Sequence, residues 1–317
     1  MSKKPGKRWI GIDLGGTKVY GVVLEGDEVR AEAKRKTPPG VGPDGVIDVI
    51  ASVVRDLGGT DAIAGVGIGA PGVVDHASGT VRRAPNLPGF DREVELGPRL
   101  SKVLGGVPVH VDNDVNVGVL AEHRLGAALG ARDLLGVWVG TGVGGGLLLD
   151  GALRRGSNGI AGEIGHTIVH PGGRVCGCGF PGHLEAYAGR GSMEREARER
   201  HAHGTATVLV ALAGDGRMTS GVWAKALAQG DALAEELIDD AVVALGNAVV
   251  STVTLLDLAV VVIGGGLGDK LGASFAGRIE QAARNALYIR GSSLRVVSAQ
   301  LGDRAGATGA ALMAAEA

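Results

Sequence analysis

"GIDLGGTKVYGVVLEGD", residues 11–27, decides how the chain is read. An apolar strand runs into Asp13. Gly15, Gly16, Thr17 and Lys18 then turn the chain into a second apolar run. A plain turn needs one or two such residues. An acid, paired glycines and a threonine together point to a ligand that approaches the backbone closely.

The pattern returns later. "LGVWVGTGVGGGLLLDG", residues 135–151, again places a Gly/Thr turn between two apolar strands and closes on an acid and a glycine. Matched hairpins at the start of each half predict two related lobes with a cleft between them. Each turn offers backbone N–H groups and a threonine hydroxyl to phosphate oxygens; an ordinary glycine-turned hairpin is the alternative reading. A third cluster, "VVVIGGGLGDK" at 260–270, follows a buried strand and precedes a helix. Gly264, Gly265 and Gly266 either admit a flat adenine or ribose or make a tight turn. Gly140-x-Gly142-x-x-Gly145 has the form of a dinucleotide fingerprint, but a strand follows it where a helix is required. No G-x-x-x-x-G-K-[ST] occurs, so a P-loop is excluded.

The chain has 317 residues, 45% of them hydrophobic, enough for two domains of ordinary size. Its 57 glycines are well above the usual share of about 7% and cluster after apolar runs. A net charge of −2 supplies no field for nucleic acid or an anionic membrane. The apolar runs read as too short to span a bilayer, and "MSKKPGKRW" reads as a frayed tail, not a signal peptide. The two cysteines, Cys176 and Cys178, are one residue apart, a strained disulfide but a workable metal clip, which fits a reducing cytoplasm. Strand-like runs fall at 9–13, 18–24, 62–69, 107–111, 134–139, 144–149 and 258–263. Helical periodicity falls at about 44–57, 115–125, 194–202, 221–228, 231–256, 273–287 and 303–316. The mixture predicts a layered α/β architecture, with 231–256 as a core helix.

Three stretches carry chemistry. "VPVHVDNDVNVGVLAEHRLG" at 107–126 runs from strand to helix with Asn113 and Asp114 at the join. They read as a helix cap or as a carboxylate placed to take a proton from a hydroxyl. Asp112 is a rival, since strand alternation gives it the same facing as Asp114. In "GIGAPGVVDHASGTVRRAPNLPGF" at 67–90, Asn86 is either a surface turn residue or a partner for sugar hydroxyls. "AGEIGHTIVHPGGRVCGCGFPGHLEAYAGRGS" at 161–192 places His166, Cys176, Cys178 and His183 close enough to close a tetrahedral zinc site, with His170 as a substitute ligand. Surface histidines beside buried thiols are the alternative. Glu163 and Glu185 flank the cluster, where a metal would fix their backbone and aim their carboxylates at vicinal hydroxyls.

These motifs resemble the ROK family (repressor, open reading frame, kinase) in its glucokinase branch, over nearly the whole chain. The likeness rests on "DLGGTK" (13–18), "APGVVD" (70–75), "NLPGF" (86–90), "DNDVN" (112–116), "GTGVGGG" (140–146), "GEIGH" (162–166) and "CGCGFPGHLE" (176–185). It implies the two-lobed actin-like, ribonuclease-H-like sugar kinase fold with a central interlobe cleft. Residues 1–124 would form the smaller lobe, joined by a C-terminal helix at 302–317, and 125–301 the larger lobe, with a zinc loop at 162–185. It implies a cytoplasmic enzyme that moves the γ-phosphate of ATP to the 6-hydroxyl of glucose with Mg²⁺, in a homodimer with no nucleic-acid or membrane partner. Asp114 would be the base. Gly72, Asn86, Asn113, Asp114, Glu163, His166 and Glu185 would contact sugar. Asp13 would lie near Mg²⁺. Gly15, Gly16, Thr17 and Lys18 would face the transferred phosphate, with Thr141 and Gly142 on the other lobe and Gly265 and Gly266 near the nucleoside. The family's usual zinc set is one histidine and three cysteines; here His183 replaces the last, giving structural Zn²⁺ on His166, Cys176, Cys178 and His183. Other hexoses, N-acetylhexosamines and a sugar-sensing role are the alternatives. A polyphosphate donor would draw on Arg82, Arg83, Arg154 and Arg155. Family repressors carry a helix-turn-helix before the glycine hairpin, and the roughly ten residues here leave no room for one.

Overall fold

The computed structural model describes residues 6–84 and 86–317; the basic tail at 1–5 lies outside the described residues. The chain divides into two compact units. Unit 1 holds residues 6–130, 153–161 and 303–317, and unit 2 holds 131–152 and 162–302. That 153–161 belongs with unit 1 is a feature chain order alone does not suggest.

Unit 1 opens with β1 (Arg8–Leu14), β2 (Lys18–Glu25) and β3 (Glu28–Lys36), followed by α1 (Pro43–Asp56) and β4 (Ile63–Ala70). A small ribbon, β5 (Val73–Asp75) with β6 (Thr80–Arg83), leads to α2 (Leu96–Val103), β7 (Val109–Asn113) and α3 (Asp114–Leu125). The sheet order is β3-β2-β1-β4-β7. The hairpin strands pair antiparallel, and β4 and β7 add parallel to β1.

Unit 2 repeats this plan. It has β8 (Leu134–Val139) and β9 (Val143–Leu149), and β10 (Ala152–Arg154) marks the chain's passage between units. Next come α4 (Glu185–Ala188), α5 (Arg190–Ala202), α6 (Leu209–Ala213), α7 (Ser220–Ala228), α8 (Ala232–Leu256), β11 (Val260–Gly264), α9 (Gly265–Ala286) and β12 (Arg295–Ser298). The second sheet runs β10-β9-β8-β11-β12, with β8 and β9 antiparallel and β11 and β12 parallel to β8. Strand for strand this is the order of the first sheet, as the repeated hairpin predicts. The final helix, α10 (Ala305–Glu316), belongs to unit 1.

Val and Ile dominate the central strands because both faces are covered; Ile10, Ile12, Val66, Ile68 and Val111 are fully buried. Helix α8 is long and apolar enough to cross a membrane by length and composition, yet more than half of its apolar window is buried. Leu237 and Leu245 sit in the unit 2 core beside Trp223 and Phe275, as a core helix requires.

Helix α10 seats on small residues. Alanines 307, 310, 311 and 314 let its backbone approach the sheet and α3 directly. A β-carbon on Gly309 would fall 1.7 Å from the Val117 carbonyl oxygen. Backbone cannot yield there, so Gly309→Ala should cost about 1–3 kcal/mol and lower the melting temperature by several degrees. Gly277, inside α9 with open space where its β-carbon would go, is the control; Gly277→Ala should hold or slightly raise it. Equal melting of Gly309→Ala and wild type would contradict this packing.

Candidate active site

In unit 1 the site grows from the end of β7. Asn113 has extended backbone and caps α3: its Oδ1 accepts from the N–H of Val115 (2.9 Å) and Asn116 (3.2 Å). Its Nδ2 donates to the Gly72 carbonyl at 3.0 Å. Such a cap is worth about 1 kcal/mol and fixes where the helix begins. Gly72 turns with φ 87°, and a β-carbon there would meet the Arg83 carbonyl oxygen at 2.0 Å, so only glycine serves. Gly72, Asn113 and Asp114 are thereby brought together. Asp114 opens α3, half-buried, with Oδ1 accepting from Val115 N–H at 2.9 Å.

Strand alternation predicts one facing for Asp112 and Asp114; the structure corrects this. The strand ends at Asn113 and Asp114 is helical, so the alternation stops at the cap. Asp112 is 2% exposed. Its Oδ1 accepts from Asn113 N–H (2.7 Å) and Asn116 Nδ2 (3.0 Å), and its Oδ2 from Arg155 Nε (2.7 Å). A carboxylate held by three donors is a structural anchor. Arg155 is thus committed to Asp112, and Arg82 pairs with Asp75 at 2.8 Å on the surface.

The β1–β2 turn closes with Gly15 N–H donating to Lys18 carbonyl at 2.9 Å. The Asn86 carbonyl lies so close to Gly16 that a β-carbon there would come within 2.8 Å. Asn86 itself is exposed beside the turn. Lys18 Nζ stands 3.4 Å from Asp303, a partner far away in sequence that no local signal reveals. Loss of hydration pushes the Asp13 carboxyl up to about 6; Lys18 opposes the shift and Asp303 adds to it.

In unit 2 the β8–β9 turn closes with Gly140 N–H donating to Gly142 carbonyl at 2.9 Å. Helix α5 is laced onto it: Arg190 N–H donates to Gly140 carbonyl (3.1 Å) and Gly191 N–H to Thr141 carbonyl (2.8 Å). Gly265, with φ 81°, packs on Val139 just before the turn. Thr141, Gly142, Gly265 and Gly266 therefore gather in one place. Gly264 ends β11, and Gly265 and Gly266 open α9, which breaks helical geometry at Gly272.

Glu185 joins this turn to the cysteine loop. Its Oε2 accepts from Val143 N–H at 2.9 Å, and its Oε1 lies 3.5 Å from Cys176 Sγ. The ligand atoms of His166, Cys176, Cys178 and His183 all lie within 4.8 Å of one another, and Cys178 Sγ is 3.2 Å from His183 Nδ1. A soft tetrahedral donor set at this spacing fits zinc. Burial pushes the Cys176 thiol up to about 11, with Glu185 contributing. His170 is not among the four; its ring stacks on Tyr187 at 5.9 Å. Backbone bonds also hold the loop, including Cys176 N–H to Phe180 carbonyl and Gly182 N–H to Arg174 carbonyl, both 2.9 Å. The Glu163 carboxyl is raised by burial, against the pull of His166.

Two α/β units of one topology, each opening on a glycine-turned hairpin, define the actin-like fold of sugar kinases. A family model described as ROK family matches residues 9–317, and the chain belongs to that family. It is 35% identical to a glucokinase of Streptomyces coelicolor over 318 residues, covering 97% of each chain. A solved ROK family glucokinase from Streptomyces griseus, in complex with glucose and AMPPNP, superposes with TM-score 0.84 at 34% identity, covering 98% of this chain and 100% of that one. A ROK hexokinase from Thermus thermophilus gives TM-score 0.80 at 32% identity, covering 98% of each.

The raised Asp13 carboxyl has a measurable sign. Its folded value, about 6, exceeds the ordinary 3.8, so its contribution to stability is complete below the ordinary value and is lost as pH rises through 6. Asp13→Asn, which copies the neutral form, should match wild type near pH 4 and be more stable by about 1–2 kcal/mol near pH 8 in protein free of nucleotide and metal. A pH-independent difference in melting would contradict the burial.

Proposed function

We propose that the chain is an ATP-dependent glucose kinase, making glucose 6-phosphate. The observation that carries this reading is the capped junction that presents the Asp114 carboxyl beside Asn113 and Gly72. The glucokinases of similar sequence support the sugar and the donor.

In this reading Asp114 accepts the proton of the 6-hydroxyl as that oxygen bonds to the γ-phosphorus and the bond to the bridging oxygen of ADP breaks. Asn113 keeps one amide hydrogen beyond its bond to Gly72, and Asn86, Glu163, His166 and Glu185 supply further partners for hydroxyls. The Gly15 N–H holds the turn closed, and the N–H groups of Gly16 and Thr17, with Lys18, receive the charge that spreads over the transferred phosphoryl group. Thr141, Gly142, Gly265 and Gly266 receive the rest of the donor. Asp13 would be the carboxylate near Mg²⁺, which when bound would neutralise phosphate charge. The Asp13 fit is consistent: a carboxyl raised by burial gains most from a cation nearby.

Zinc on His166, Cys176, Cys178 and His183 would hold the loop that carries Glu185 and would keep both thiols deprotonated. A homodimer in the cytoplasm completes the reading; sedimentation reads the assembly.

A coupled assay over glucose, mannose, fructose, galactose and N-acetylated hexosamines, with ATP and Mg²⁺, tests the function. Glucose should give the highest kcat/KM. A preference for an N-acetylhexosamine, or no sugar-dependent ADP release, would refute it. Metal analysis of active protein should find one zinc per chain, reduced in Cys178→Ser together with melting temperature. Stable, active protein without zinc would refute the metal site.

A further inference from the structure

Arg190 in unit 2 is bonded to no carboxylate among the described residues. Arg190, the first residue of α5, is half-buried. Its Nη1 donates to Ser220 Oγ at 2.8 Å and its Nη2 to Thr141 Oγ1 at 3.1 Å. Both partners are neutral hydroxyls. No carboxylate among the described residues lies within 4.0 Å of its guanidinium nitrogens. Glu194, the nearest acid in effect, is committed: it accepts from Arg198 at 3.0 Å and from Met218 N–H at 3.1 Å. Arg217 adds a second positive charge.

The hydrogen-bond count points the same way. A hydroxyl that accepts from Arg190 still has its own hydrogen to give. A guanidinium carries five N–H donors, and the two hydroxyls use only some of them. The cluster therefore presents donors and positive charge with too few acceptors, which suits an anion. It is also well placed. Thr141 lies in the β8–β9 turn, Ser220 opens α7, and a β-carbon on Gly266 at the start of α9 would sit 3.7 Å from Arg190 Nη1. Two glycine clusters assigned to the donor thus converge on one arginine that no motif singled out.

We propose that Arg190 is a donor-binding residue whose fork engages a phosphoanhydride chain, with Thr141 and Ser220 orienting it. The proposal rests on the kinase reading and deepens it. The chain could come from a nucleotide or from linear polyphosphate, and the two share this chemistry.

Calorimetry of ADP, adenosine and linear polyphosphate on wild type, Arg190→Met and Arg190→Lys separates the cases. Arg190→Met should bind ADP about 10- to 100-fold more weakly, keep adenosine within twofold, and raise KM for the donor but not for sugar. Arg190→Lys, which keeps the charge without the fork, should fall between the two and decides the matter if the methionine variant misfolds. Loss of polyphosphate binding with ADP intact would support the same residue with the other donor. Unchanged binding of both, or a matching loss for adenosine, overturns the assignment and leaves the kinase reading standing. Wild type that binds neither ADP nor polyphosphate overturns both.

Discussion

The side chain of Asn113 is the joint on which unit 1 turns. One amide ends a strand, starts a helix and ties both to the loop at Gly72. Without it the first N–H groups of α3 would lack acceptors and the position of Asp114 would be free to drift. Asp112, directly before it, stabilises the same joint from below through Arg155 and Asn116. Three adjacent polar residues therefore divide the work: Asp112 anchors, Asn113 caps, and Asp114 opens the helix as the base of the proposed reaction. A base displaced by an ångström loses much of its effect, so under the proposed mechanism the rigidity of this junction would bear directly on rate.

Unit 2 has a comparable joint in Glu185. One of its oxygens holds the amide that follows the glycine turn, and the other lies beside a cysteine of the ligand cluster. Order in the cysteine loop is thereby coupled to order in the turn that would receive phosphate. This gives a physical reason for a structural metal to matter to catalysis while touching neither substrate. It also explains why the loop carries its own backbone bonds: the ligands refine a hairpin that already exists.

Much of this was legible in the sequence, and the limits follow from physics. Val- and Ile-rich strands were readable because they are buried on both faces. β3, "EVRAEAKRK", escaped notice because it is an edge strand whose exposed side chains are charged. The repeated Gly/Thr turn exposed the duplicated plan, since a ligand-binding bend needs unusual residues at fixed spacing. Gly265 and Gly266 conceal the start of α9, because glycine is a poor helix former and only the contact of Gly265 with Val139 reveals why it is there. The facing of Asp112 and Asp114 was misread because alternation cannot signal where a strand ends. Asp303 and Arg190 gave no local signal, and nothing near Arg155 in sequence pointed to its bond with Asp112; these roles depend on partners remote in the chain.

The central claim is that Asp114 removes the proton from the attacking sugar hydroxyl. Single-turnover phosphoryl transfer by Asp114→Asn, with glucose binding measured on the same preparation, addresses it most directly. The account predicts a rate lower by about 10²–10⁴-fold with glucose affinity within a few-fold of wild type. A variant that transfers phosphate at close to the wild-type rate while binding glucose normally would contradict it.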